Sequence, residues 1–201
     1  MSTVVLIIVV RPIVSWLAIL NSTIDLSFLG KLGEYVISTS DLIAEKTLLL
    51  ARADSIDKLL INIFIIAILP AIGEELFFRA IIQRLLYKVS GRFHLSIWVT
   101  AIVFGVMHFN VRGVLPIIFL GLILGYIYFY TENIWLAILA HFINNASLLL
   151  IFFKFPVETE SVVSDNISIP SLLFSVLMSF SLLFFLYTVW EKRKSANSLK
   201  Q

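Results

Sequence analysis

Residues 58–87 form a long apolar run that contains Pro70, Glu74, Glu75 and Arg79. At about 1.5 Å per residue, a helix of that length crosses about 30 Å of hydrocarbon. The first expectation is therefore a membrane helix carrying charge in its interior. Pro70 removes one backbone donor, so a kink is expected one turn before the acids.

The rest of the chain agrees with a membrane setting. Of its 201 residues, 60% are hydrophobic and only 14% are charged. A soluble domain carries about 25% charge and needs it to cover its surface. Disorder, a collagen-like fibre and an ordinary soluble enzyme are excluded, and an all-α, polytopic transmembrane helix bundle is expected. The 17 Phe, 4 Trp and 6 Tyr suit lipid-facing and interfacial positions. With no cysteine, disulfides, thiol nucleophiles and Cys-ligated metals drop out.

Clusters of charge divide the chain into about six membrane helices. The first covers residues 2–20, with Arg11 at its centre and no evident partner for it. Residues 21–57 mix charges with apolar positions at near-helical spacing, as interfacial amphipathic helices do. After 58–87 come a short basic loop with Lys88, Arg92 and His94, then helices at about 95–109, 114–130, 134–153 and 169–190. Gly121 and Gly125 have the small-xxx-small spacing that lets a neighbouring helix approach closely. Three parts follow: an N-terminal membrane helix with an extracytoplasmic amphipathic segment (1–57), a four-helix core (58–153), and a loop, last helix and basic tail (154–201). Arg84–Arg92 and Lys192–Lys194 are both expected on the cytoplasmic side. The acidic loop near Glu158 is then outside. Tyr187 and Trp190 read as an interfacial anchor.

Charged groups inside membrane helices cost at least about 2.5–3.5 kcal/mol each, so they face the bundle interior and act there. Glu75 and Arg79 are four residues apart and share one helix face. Glu74 lies about 100° away and is the freer acid, suited to general-base chemistry. Phe104 and His108 lie one turn apart, as do His141 and Asn145. His94 reads as solvated. One Glu, two His and one Asn are able to activate water and hold an oxyanion. Glu74, His108 and His141 also resemble a zinc ligand set, but no His-Glu-x-x-His helix is present. No metal is assured, and zinc stays open. Serine-type and aspartyl-type intramembrane proteolysis lack their motifs.

The ordered set Glu74-Glu75-x-x-x-Arg79, Phe104-x-x-x-His108 and His141-x-x-x-Asn145 resembles the type II CAAX prenyl endopeptidase and bacteriocin-processing family of intramembrane proteases. The likeness covers residues 58–153. It implies hydrolysis of peptide bonds in membrane-associated or lipidated proteins, in a multi-pass protein of a bacterial inner membrane. By that resemblance Glu74 activates water with help from His108. His141 and Asn145 stabilise the oxyanion, and Glu75, Arg79 and Phe104 organise the site. The expected partners are the bilayer and a membrane-associated protein or peptide, not nucleic acid. Two other classes keep the same residues: a non-catalytic binding, immunity or scaffold protein, and an ion-coupled transporter.

Overall fold

The computed structural model describes residues 2–155 and 168–198. These form seven helices: α1 (Ser2–Ser22), α2 (Lys31–Ala51), α3 (Ile56–Ser90), α4 (Phe93–Met107), α5 (Val114–Thr131), α6 (Ile134–Lys154) and α7 (Ile169–Ser198). No strand occurs among the described residues. Five helices (α1, α3, α5, α6 and α7) are long and apolar enough to cross a membrane. Large apolar side chains such as Ile65, Val106, Leu177 and Phe180 are exposed around the bundle, a surface suited to lipid rather than water. The chain is a multi-pass membrane protein. Most of the acidic loop expected at 154–165 lies outside the described residues.

The remaining apolar helix, α4, is short. Its 15 residues extend about 22 Å, less than the roughly 30 Å of hydrocarbon. His108 caps its C-terminal end. Phe109 follows with φ +50°, a left-handed conformation that costs a residue with a side chain about 1–2 kcal/mol. The α4–α5 corner is held from outside. Asn21, buried at the end of α1, donates to the Val111 carbonyl at 2.7 Å and accepts from the Leu115 amide at 2.8 Å. The second bond satisfies an otherwise orphaned N–H in the first turn of α5. From α2, Ser40 donates to Asn110 Oδ1 at 3.3 Å, and Asp41 pairs with Arg112.

The central helix is α5, which touches α1, α4, α6 and α7. Leu124 and Ile127 on it are fully buried. Its glycines allow the close approach that their spacing suggests. A Cβ on Gly121 would lie 3.2 Å from the Ala101 backbone, and one on Gly125 would lie 2.8 Å from Ile97 Cγ2. At one end Trp190 packs among Phe93, Phe129, Tyr130 and Tyr187.

Helix α3 is continuous but not uniform. Ile63–Ile68 and Leu76–Gln83 are π-helical, and α-helical turns lie before, between and after them. Around Pro70, where a kink is expected, the helix changes from π- to α-helical turns. The proline occupies the first turn of the α-helical piece Leu69–Glu75, where its missing N–H is tolerated, and the widened turn lies just before it. Helix α3 then stops at Gly91, whose φ of +65° favours glycine.

Candidate active site

The piece Leu69–Glu75 between the two π-helical turns presents both acids. Such turns often mark functional positions in membrane and soluble helices. Glu75 points into the protein and is fully buried. Its Oε2 accepts from Arg79 Nε at 2.9 Å, and its Oε1 lies 3.0 Å from His141 Nδ1. A carboxylate paired with a guanidinium is an acceptor, so His141 donates Nδ1–H to it. The Arg79 guanidinium stacks over Phe104, with Cζ 5.3 Å from the ring centroid. Phe104 also meets the rings of His108 and His141 edge-on, at centroid distances of 4.6 and 5.9 Å.

Glu74 takes the other direction. Its side chain is 32% exposed, as is that of His108. Its Oε2 lies 3.8 Å from His108 Nε2 and 3.8 Å from His141 Nε2. That oxygen is itself buried and has no hydrogen-bond partner among the described residues. The tautomers follow from the other ring atoms. His108 Nδ1 is 2.7 Å from the Phe104 carbonyl, which only accepts, so it is Nδ1 that carries the proton. His141 is fixed the same way by Glu75. In their neutral forms both imidazoles therefore aim an Nε2 lone pair at a carboxylate oxygen. These acceptors face one another without a donor and suit a molecule that brings protons: a water would donate one to Glu74 Oε2 and one to an imidazole Nε2, at hydrogen-bond lengths compatible with the 3.8 Å separations.

Zinc fits the same atoms less well. Tetrahedral ligands at about 2.0–2.1 Å from the metal stand about 3.3–3.4 Å apart, and both separations here are 3.8 Å. Among the described residues, no group of three His, Cys, Asp or Glu closes to metal-holding geometry.

Asn145 lies one turn beyond His141 on α6. Its Nδ2 donates to the Ile66 carbonyl at 3.4 Å. In an α-helix that carbonyl would accept from residue 70, which is proline and has no N–H. Asn144, which the helical wheel turns away, donates to Asn145 Oδ1 at 3.1 Å and fixes the amide's direction. Arg11 now has a partner too. It is half-buried and donates to Ser147 Oγ, and Ser147 donates to the Asn144 carbonyl at 2.8 Å. His94, expected to be solvated, is exposed and bonded to the Tyr126 hydroxyl at 2.9 Å.

The structure thus brings Glu74, Glu75, Arg79, Phe104, His108 and His141 into one cluster, with Asn145 one turn further along α6 on the Ile66 carbonyl. Sequence reading passed over the buried polar residues Gln83, Ser96 and Thr100. Gln83 was legible, since it continues the Glu75–Arg79 face by one more turn.

Comparison with known proteins places the same stretch. Residues 56–147 match the family described as type II CAAX prenyl endopeptidase Rce1-like. Over 100 residues the chain is 28% identical to a protein of Bacillus subtilis (strain 168) named "Putative membrane peptidase YdiL". That alignment covers 50% of this chain and 41% of the relative, so the chain spans less than half of the relative's length. No solved structure matches the chain. The resemblance carried by the motifs is therefore found by whole-segment comparison as well, and both matches support a membrane protease.

Proposed function

We propose that this chain is an intramembrane endopeptidase of a bacterial inner membrane, in which Glu74 activates water to hydrolyse peptide bonds of membrane-associated or lipidated proteins. One observation carries the reading: a buried, unpartnered Glu74 Oε2 faced by two histidine Nε2 atoms at 3.8 Å. The family match supports it for residues 56–147.

Glu74 takes one proton of the water, and the His108 Nε2 lone pair holds the other. The water oxygen forms a bond to the scissile carbonyl carbon, and the carbonyl oxygen becomes the oxyanion. Asn145 Nδ2, one turn along α6 from His141, is the neutral donor assigned to it. Its 3.4 Å bond to Ile66 is long enough to be exchanged for a stronger one to an oxyanion. His141, with Glu75 holding its Nδ1–H on the opposite edge of the ring, joins as an Nε2 donor in its imidazolium form, the extra proton being taken from solvent before the substrate binds and returned after release. When the C–N bond breaks, the amine leaves with the proton held by Glu74. Arg79 balances the Glu75 charge, and Phe104 keeps both rings and the guanidinium in place. No step is assigned to a metal.

The test is cleavage of a membrane-embedded peptide by purified wild type and Glu74→Gln in bilayers. Loss of a general base lowers the rate about 10²–10⁴-fold. Equal rates sink the assignment and favour a binding or transport role. A chelator is expected to leave the rate unchanged, and a loss restored by added zinc would refute the metal-free mechanism.

A further inference from the structure

Hydrolysis consumes one water for each bond cut, yet the centre lies inside an apolar bundle. Behind it, away from the exposed edge of Glu74 and His108, Glu75, Arg79 and Gln83 follow at four-residue spacing along one buried face of α3. On α4, Ser96, Thr100 and Phe104 do the same in the opposite direction. Two contacts set the register of these faces. Arg79 stacks on Phe104 at the deep end. At the other end, Gly125 of α5 brings Gln83 Oε1 and Ile97 close together, since a Cβ there would lie 3.0 Å from the first and 2.8 Å from the second. Thr100 therefore sits between the Gln83 level and the Arg79 level.

The polar atoms of this seam are only half matched. Gln83 Nε2 donates to the Gly125 carbonyl at 3.1 Å. Arg79 Nη1 and Nη2, Gln83 Oε1 and Thr100 Oγ1 are buried and have no hydrogen-bond partner among the described residues. Donors and acceptors thus alternate along one seam, in an environment where leaving each unpaired costs about 1–3 kcal/mol. Such groups are ordinarily satisfied by ordered water. The seam also opens outward. Gln83 and Ser96 line a cavity of about 390 Å³ whose walls include Arg84, Tyr87, Glu132 and Trp190. Gln83, only 2% exposed, thus stands at the junction of seam and cavity with its Oε1 unpaired.

We propose that this cavity and the Gln83–Thr100–Arg79 seam form a hydrated inlet, separate from the exposed edge where a peptide would dock, which supplies water to the rear of the Glu74–His141 centre. Gln83 is its positioning residue. A bound peptide covering Glu74 and His108 would then leave the water supply open. The inlet's purpose rests on the hydrolytic reading, whereas its hydration does not.

The chain has no cysteine, so single cysteines report on hydration directly. Gln83→Cys and Thr100→Cys are reconstituted in phosphatidylglycerol–phosphatidylethanolamine vesicles and treated with a small, charged methanethiosulfonate reagent. Lipid-facing Val103→Cys and core Leu124→Cys are the dry controls. Position 83 is expected to react at least ten-fold faster than either control, with position 100 between. Reaction of both no faster than the controls overturns the inlet. In cleavage assays Gln83→Leu is expected to lower kcat about ten-fold at unchanged KM, while Gln83→Glu stays within about two-fold of wild type. Wild-type kcat in Gln83→Leu also overturns the supply role, even if position 83 labels. A wild type that cleaves nothing removes the proteolytic reading, and labelling alone then decides whether the seam is wet.

Discussion

Replacing Arg79 by Met separates two views of the Glu75–Arg79 contact. Both side chains are fully buried, and Nε lies 2.9 Å from Oε2. If the contact were one more polar bond between membrane helix turns, its loss would cost about 0.6 kcal/mol. Geometry argues for a larger figure. Methionine would keep the volume packed on Phe104, yet the Glu75 carboxylate would stay buried with only the His141 donor. Breaking a buried ion pair by removing one partner costs about 3–5 kcal/mol, because an uncompensated charge remains. The double variant Glu75→Gln, Arg79→Met removes both charges and keeps an amide oxygen for His141. It is expected within about 1–2 kcal/mol of wild type, since neutral replacement of buried pairs is often tolerated. The assay is reversible unfolding in mixed detergent–SDS micelles, followed by tryptophan fluorescence, on wild type, both single variants and the double. Glu75→Gln alone strands the buried guanidinium at a similar cost, so the double is expected to cost at least about 4 kcal/mol less than the sum of the two singles. A cost below about 1 kcal/mol for Arg79→Met, or a double variant no more stable than that single, refutes the view that Glu75 needs Arg79 as its counter-charge.

Other outcomes follow from separate contacts. Asn21→Ala leaves the Val111 carbonyl and Leu115 amide unpaired, and is expected to cost about 2–3 kcal/mol in the same unfolding assay. A Cβ on Gly105 would lie 2.3 Å from Ile118 Cγ1, so Gly105→Ala should destabilise by about 1–3 kcal/mol through overpacking; an unchanged midpoint would show that α4 and α5 separate freely. Asn145→Ala should cost less stability in a Pro70→Ala background, where residue 70 regains its N–H, yet cleavage should remain slow in both. Equal stability losses in the two backgrounds would show that Asn145 does not serve the Ile66 carbonyl.

The fold was legible because lipid demands long apolar runs, and few charges interrupt them. Even the pairing of Glu75 with Arg79 and the outward turn of Glu74 follow from helical spacing alone. What stayed hidden has a common cause: each depends on which helices are neighbours. Arg11 finds Ser147 136 positions along the chain, and Asn21 reaches a corner 90 residues away. Thr100 looked unremarkable because neutral polar residues are common in membrane helices, and only the packed helices show it buried. The shortness of α4 was legible, since the expected helix at about 95–109 has the same 15 residues of length as Phe93–Met107, shifted by two.

The two π-helical turns of α3 bear on how this helix tolerates changes in length. Removing a residue from an α-helix rotates everything beyond it by about 100° against its neighbours. A π-helical turn holds a surplus residue, so loss of one there lets the turn relax to α-helix while both flanks keep their orientation. Exposed Ile65 and Ile81, one in each turn, are thus positions where a single deletion should leave Glu74 aimed at the histidines. A deletion of Ile72, inside the α-helical piece, would turn the acid toward lipid. In this helix, insertions and deletions are expected to be graded by angular phase rather than by distance from the acids.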